Sequence, residues 1–327
     1  MNGAGEGGGG MLQMRFHFGE RDRCGEGPLE AAVMDRCARD GVRAAALLRG
    51  VEGFGAKHRV RTDRILSLSE DAPLVVVAVG EAGVVEGLAE EVRAMAGEGL
   101  IVAEEVEGVG APAADVRDVV KATIWGPRTG PTAPHLGAVE AMRRHGAEAA
   151  TVLLGVDGVI DGERRRARFV AGNRGVPGMT VAIGERRAVE AAIAEVDGAA
   201  HLVTVEAVET FRRIGTVSLH GGEACRITLV TSEVAAGRSH PRYVELIHEL
   251  RRQGAAGATA LRGVWGFRGG GEPRGDRVLS LRRDVPIVVE AVDAPEAAQR
   301  WLELARSVAG EEDVAYSQTI PRIHTLE

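Results

Sequence analysis

The apolar run Ala44-Ala-Ala-Leu-Leu-Arg49 leads into Gly50-Val-Glu-Gly-Phe-Gly55, and the arrangement returns twice. Gly155-Val-Asp-Gly158 follows Ala149–Leu154, and Gly263-Val-Trp-Gly266 follows Ala258–Arg262, at offsets of 105 and 108 residues. The surrounding sequence keeps this register. Gly41, Gly146 and Gly254 precede the three runs. Upstream of them, Ala31, Met34 and Cys37 align with Leu136, Val139 and Met142 and with Val244, Ile247 and Leu250. That three-residue spacing marks one face of a helix. Downstream, each copy sets a proline before an apolar run, beginning at Pro73, Pro177 and Pro286. A chain that repeats itself in this way folds as three like units. Each is long enough to bury its own core, although domains of that size are marginal and often associate.

The elements of one copy predict those of the others. In the first, strands are expected at Met14–Phe18, Arg43–Val51, Leu74–Gly80 and Leu100–Val106, with helices over Gly27–Asp40 and Val84–Met95. The order is β-α-β-β-α-β, the ferredoxin-like arrangement, in an α+β class. The expected organisation is a glycine-rich disordered leader over 1–12 and repeats over 13–107, 119–209 and 223–322, the middle one the most drifted. The glycine motif after the second strand reads as a turn, followed in the first repeat by a basic loop.

Composition narrows the function. Of 327 residues, 45% are hydrophobic and 27% charged, an ordinary globular balance. Aromatics are only 3%, so the cores are built from Val, Leu, Ile and Ala. No apolar run approaches the ~20 residues that span a bilayer, so a membrane-embedded protein is not expected. The opening Met1–Gly10 has no apolar segment of a signal peptide. Cys24, Cys37 and Cys225 fit neither a disulfide framework nor a metal spacing, which points to a reducing cytoplasm. The formal charge of −7 argues against nucleic acid as a partner.

Several blocks resemble a known family. Phe18-Gly-Glu-Arg-Asp22, Leu47-Leu-Arg-Gly-Val-Glu-Gly-Phe-Gly55, the stretch from His58 to Arg64, and Ile65-Leu-Ser-Leu-Ser-Glu-Asp-Ala-Pro73 are similar to the domain of unknown function 190 (DUF190) family. The third repeat matches in Arg262-Gly-Val-Trp-Gly-Phe267, Asp276-Arg-Val-Leu-Ser-Leu281 and Asp284-Val-Pro286. The second matches weakly: Leu154 stands where the others have arginine, and the Leu-Ser-Glu-Asp element is missing. That family resembles the PII signalling proteins, which are trimers of ferredoxin-like domains binding nucleotides or other small anions between subunits. The resemblance implies a covalent pseudo-trimer of PII-like domains with three non-identical clefts.

The chemistry at hand is anion binding. Glycines let backbone N–H groups approach a ligand, and successive N–H groups form anion-binding nests. The candidate ligand residues are Arg49, Gly50, Gly53, Gly55, Lys57 and His58 in the first repeat and Arg262, Gly263, Gly266 and Arg268 in the third. In the second, Arg164, Arg165, Arg166 and Arg168 follow the motif, and there the bland reading is favoured: glycines after a strand usually mark a turn or bulge, and charged loops are usually solvated. Trp265 is expected to cover a contact between domains rather than to stack on a base. No metal, cofactor or catalytic set is expected. The expectation is a cytoplasmic, non-enzymatic regulator that binds a small anionic effector, such as a nucleotide, and signals to a protein partner. The rival is an adaptor built of the same repeats with no ligand.

Overall fold

The computed structural model describes residues 10–55, 61–62, 71–108, 119–128, 133–167, 173–196, 198, 200–210, 223–235, 237–275 and 284–326. The first repeat comprises β1 (Met11–Gly19), α1 (Leu29–Asp40), β2 (Ala44–Phe54), β3 (Arg61–Thr62), β4 (Pro73–Glu81), α2 (Ala82–Met95) and β5 (Gly99–Gly108). The second comprises β6 (Val119–Pro127), α3 (Ala133–Arg144), β7 (Ala149–Leu154), β8 (Asp157–Ile160), β9 (Glu163–Arg166), β10 (Pro177–Glu185), α4 (Arg186–Val196), β11 (Leu202–Ala207) and β12 (Glu209–Thr210). The third comprises β13 (Ala224–Ser232), α5 (Arg242–Arg252), β14 (Gly257–Arg262), β15 (Trp265–Arg268), β16 (Arg274–Gly275), β17 (Pro286–Asp293), α6 (Ala298–Val308), β18 (Val314–Ile320) and β19 (Arg322–Leu326). β1 includes Met11 and Leu12, which the expected leader had claimed; residues 1–9 lie outside the described residues.

The local signals act as their chemistry requires. Gly41, Gly146 and Gly254 stop the first helix of each repeat at φ of 75°, 86° and 85°, the left-handed conformation that glycine adopts without a Cβ clash. The helices bury the face that the sequence marked: Leu29, Val33, Met34 and Cys37 on α1, and Val244, Leu246, Ile247 and Leu250 on α5. Among the described residues no helix is long and apolar enough to cross a membrane.

All the long strands pair antiparallel, in the same pattern three times. β1 lies between β4 and β5, with β2 outside β4. β6 lies between β10 and β11, with β7 outside β10. β13 lies between β17 and β18, with β14 outside β17. Among the described residues the result is a mixed α+β fold in which six α-helices accompany one hydrogen-bonded sheet of nineteen strands.

That sheet is continuous because the repeats pair with one another in a ring. β8 of the second repeat adds to β2 of the first, with Asp157 opposite Leu47 and Ile160 opposite Ala44. β15 of the third adds to β7 of the second, with Trp265 opposite Val152. The far half of β2 adds to β14 of the third, with Gly53 opposite Thr259 and Phe54 opposite Ala258. The other sheet edge closes in the opposite sense. The end of β5 meets β11, β12 meets β18, and β19 meets β5. Sheet edges that would otherwise present unpaired N–H and C=O groups are thus taken by a neighbouring repeat.

Each repeat keeps its own core between helices and sheet, and a further core is shared. The opposite sheet faces meet in a cluster that draws Leu48 and Val77 from the first repeat, Trp125 and Leu153 from the second, and Leu261 and Val288 from the third. Inside it lies a polar layer that no sequence pattern marked. Structurally equivalent positions on the three first strands carry Gln13, Lys121 and Arg226, and those opposite on the fourth strands carry Glu104, Glu206 and Gln318. All six are buried. Gln13 donates to Glu104 (3.1 Å) and to Glu206 (3.3 Å). Arg226 donates to Glu104 (2.8 Å) and to Gln318 (2.5 Å). Lys121 lies 2.7 Å from Glu206, and Gln318 closes the ring by donating to Glu206 at 2.6 Å. Beside it, Arg15 donates to both oxygens of Glu290 at 2.9 and 2.8 Å across 275 residues of sequence. The cations Arg15, Lys121 and Arg226 are matched by the carboxylates of Glu104, Glu206 and Glu290. A buried charge is tolerable only when paired in this way.

Two outcomes follow for stability. Glu290→Gln removes the carboxylate that Arg15 holds at 2.8 Å, leaving it only Glu104 at 3.9 Å, and should cost about 3 kcal/mol in urea unfolding. The second concerns pH. Burial works to raise the carboxyl groups of Glu104 and Glu290, but the neighbouring arginines and Lys121 outweigh it and hold both below the usual carboxylate range. Their stabilisation is present above the unfolded pKa of about 4.3 and is lost as pH falls through the folded values. Burial lowers His17, whose Nε2 is enclosed, from 6.5 to about 4. The unfolded chain therefore binds the His17 proton first, and stability declines as pH falls from 6.5 to about 4. His17→Gln should flatten the melting temperature across that window and leave the steeper acid loss below it.

Candidate functional site

The three glycine motifs lie where repeat meets repeat, and the structure corrects their reading as turns. In the first repeat the motif continues β2 as far as Phe54, and in the others it joins β7 to β8 and β14 to β15. The glycines are explained by close approach. A Cβ on Gly53 would stand 2.7 Å from the carbonyl oxygen of Ala258 in the third repeat. On Gly158 it would stand 2.7 Å from that of Ala45 in the first, and on Gly266 2.1 Å from that of Ala150 in the second. Gly50 and Gly263 are likewise filled in, by Pro73 and Ala260 and by Thr151 and Pro286 respectively. Gly55 alone among the candidate glycines has open space at its Cβ position.

Beyond each motif the chain turns back in a short return strand, and the first helix of the adjoining repeat packs on this hairpin. Arg164 of β9 ties Asp157 to Asp35 of α1. His248 of α5 lies 3.0 Å from the buried Glu52 of β2, and Arg143 of α3 reaches Glu272 beyond β15. Trp265 pairs with the second repeat and packs against its core, the domain-contact role expected of it.

At the outer end of each seam the chain forms a corner from four equivalent positions. The residue leaving the first strand is Glu20, Arg128 or Glu233; each donates its N–H to the residue before the third strand, Ala72, Val176 or Val285. One residue earlier stand Asp71, Gly175 and Asp284. The second strand contributes Arg49, Leu154 and Arg262, each opposite the residue after the proline: Leu74, Gly178 and Ile287. The return strand contributes Arg61, Arg165 and Arg274, which sit opposite Gly53, Gly158 and Gly266. An arginine thus recurs at one place in all three hairpins.

The sequence-selected cations are mostly spoken for. Arg49 pairs with Glu20 at 2.7 Å, and Arg262 pairs with Glu233. Arg268 lies 3.0 Å from Asp313, 3.4 Å from Glu312 and 3.6 Å from Asp284. Arg61 lies between Asp71 (3.4 Å) and Asp22 (3.8 Å), and Arg274 pairs with Asp284. A shallow, solvent-open depression at the third corner is lined by these same opposed charges, among them Arg268, Arg274, Asp284 and Glu312. Lys57 and His58 lie outside the described residues, as does the rest of the basic loop apart from Arg61 and Thr62. The acidic partners were the residues that sequence reasoning missed. Glu20 and Asp71 do stand inside the motif blocks, but nothing in their spacing says which arginine they meet.

Among the described residues no group of His, Cys, Asp and Glu is arranged to hold a metal ion. Burial pushes the thiols of Cys37 and Cys225 up to about 12, so neither is a ready thiolate.

Comparison with known proteins gives a family-model match over three segments, 11–108, 132–210 and 224–319, to DUF190, described as "Uncharacterized ACR". The UPF0166 protein of Aquifex aeolicus (strain VF5) is 32% identical over 77 residues, 24% of this chain and 73% of that protein. Among solved structures, an aspartate kinase from Synechocystis aligns over 95% of this chain at 9% identity with a TM-score of 0.28. This chain spans 43% of that kinase's length. An anthrone oxidase-like protein aligns over 64% of this chain and 94% of its own at 11% identity, with a TM-score of 0.18. Likenesses at those scores carry no argument.

The seam makes the glycines testable. Gly53→Ala and Gly158→Ala each press a Cβ into a neighbouring carbonyl oxygen and should destabilise by about 1–3 kcal/mol, as overpacked sites do. Gly55→Ala should stay within about 0.5 kcal/mol, the range of an unconstrained surface change. Equal tolerance of all three in urea unfolding would remove the seam as the reason for the motif.

Proposed function

The chain belongs to the DUF190 family, and on that footing we propose that it is a non-enzymatic regulator of the PII-like kind, a pseudo-trimer of ferredoxin-like repeats in one chain. It takes a small anionic effector, such as a nucleotide, at the corners between repeats and passes the signal to a protein partner. The βαββαβ order with its antiparallel pairing supports the ferredoxin-like reading of each repeat. The closed ring of inter-repeat pairing supports the pseudo-trimer. The observation that carries the ligand reading is the arginine at one place in all three hairpins: Arg61, Arg165 and Arg274. Guanidinium groups suit planar, two-point recognition of phosphate and carboxylate, and these three stand beside the seams, where an effector would bear on the contact between repeats.

A second reading, a ligand-free adaptor, is favoured by one observation. The seam already accounts for four of the five candidate glycines, and Arg49, Arg262 and Arg268 already have carboxylate partners. A thermal-shift screen with phosphate, pyrophosphate, nucleotides and cyclic nucleotides separates the two. A ligand bound only to the folded chain stabilises it by about 2.7 kcal/mol at a hundred times its Kd, so the regulator should melt several degrees higher with at least one anion. No shift with any of them would leave the adaptor.

A further inference from the structure

The four positions that build each corner carry different charges in the three repeats. In the first corner Glu20 and Asp71 face Arg49 and Arg61; in the third, Glu233 and Asp284 face Arg262 and Arg274. Each set is two carboxylates against two arginines. In the second corner the same positions hold Arg128, Gly175, Leu154 and Arg165: two arginines and no carboxylate. The repeat whose motif had drifted most therefore lacks both acids, has leucine for one arginine, keeps Arg165, and carries Arg128 where its sisters have glutamate.

The geometry of that corner is well defined. Arg128 donates its N–H to the carbonyl of Val176 (2.9 Å), and the N–H of Gly175 donates to the carbonyl of Arg128 (2.8 Å). The stem of Arg165 lies across Gly175, its Cγ, Cδ and Nε 3.8, 3.9 and 4.0 Å from where a Cβ would stand. Gly175, at φ 84°, leaves the arginine room and offers it no carboxylate. Alternation along β9 sends Arg164 and Arg166 to the opposite face, where they meet Asp157, Asp35 and Glu30 of the seam. Arg165 has one ion pair, to Glu163 at 2.9 Å, with both side chains more than half exposed; pairs of that kind contribute little. Arg128 has no side-chain hydrogen bond or ion pair among the described residues, and its Nε is buried without a partner. Arg174, exposed and next to Gly175, adds a third cation.

We infer that the anion site of this chain is the second corner, with Arg128 and Arg165 as the residues that hold the phosphate group of a small molecule. This rests on the regulatory reading above and relocates its ligand. Effector binding in the first and third corners must compete with a carboxylate already on each arginine. In the second, an incoming phosphate meets Arg165, held only by the solvent-exposed Glu163, and Arg128, whose enclosed Nε lacks an acceptor. Two arginines at one corner repel, and an anion between them relieves that repulsion.

Calorimetry on the full chain at low ionic strength, with pyrophosphate and inorganic phosphate as probes, tests this. The expected result is one probe molecule per chain. Arg165→Gln should weaken binding at least about tenfold, the loss of one charge-assisted contact. The pair Arg128→Glu with Leu154→Arg rebuilds the arrangement of the sister corners, so it should fold and melt as the parent does while losing the probe. Arg93→Gln on α2, an exposed arginine paired with Glu90 of its own helix, controls for general charge. Binding that survives both corner-two variants, or that falls instead on Arg61→Gln or Arg274→Gln, overturns the inference and leaves the regulatory reading standing. Three equal sites per chain overturn it likewise. Absence of heat and of any melting shift in the parent, with these probes and with the nucleotide screen, removes the regulatory reading and this site together.

Discussion

A four-stranded antiparallel sheet ends in two strands whose outward N–H and C=O groups need partners, and in this chain those partners come from the neighbouring repeats. β2, β7 and β14 each receive a strand segment from the next hairpin, and β5, β11 and β18 each receive the tail or end of another fourth strand. The two sets run round the three repeats in opposite senses, so removing any one repeat opens an edge on both of the others. Glycine at the crossing points is the local condition for this closure. With a Cβ at residue 53, 158 or 266 the adjoining strand could not approach to hydrogen-bonding distance. Because the seam strands and the helices that pack on them belong to different repeats, the hairpins are structural parts of the ring before they are anything else.

Closing the ring brings the three sheets face to face, and what they enclose distinguishes this chain from an assembly of identical subunits. Gln13, Lys121 and Arg226 occupy one equivalent position, as do Glu104, Glu206 and Gln318. Identical subunits would repeat the same residue at each, so the mixed set seen here, glutamine, lysine and arginine facing glutamate, glutamate and glutamine, is open only to a chain whose repeats differ. One continuous chain can place a cation in one repeat and its carboxylate in another, as Arg15 and Glu290 show. Such a layer adds less net stability than an apolar one of the same volume would, but each wrong pairing of repeats would strand a buried charge, and a stranded charge is expensive.

The same freedom from identity shows at the corners. Divergence of the second repeat, which weakens its resemblance to the others, changes an acid to Arg128 and another to Gly175 while leaving Arg165 in place. Charge balance makes the first and third corners compact and self-satisfied, and it leaves the second as a concentration of positive charge in a chain of formal charge −7. A motif that reads as degraded by comparison with its sisters is, by its electrostatics, the one suited to an anion.

The amino-acid sequence alone determined the threefold register, the order of elements in each repeat, the helix faces and the helix-ending glycines, because each depends on residues near one another in the chain: a 3.6-residue stripe, a left-handed stop, a proline before an apolar run. It also located the motifs that sit at the inter-repeat contacts. It did not say what they do there. Whether Gly53 serves a ligand or a neighbouring carbonyl depends on Ala258, some two hundred residues away, and whether Arg49 is available depends on Glu20, which only the fold brings to it. The buried layer was illegible for the same reason. Arg15, Lys121 and Arg226 look like the solvent-facing residues of half-buried strands until three sheets close over them. Tertiary structure alone decided these matters, because a hydrogen bond, a clash and a charge pair act over a few ångströms of space and are indifferent to separation along the chain.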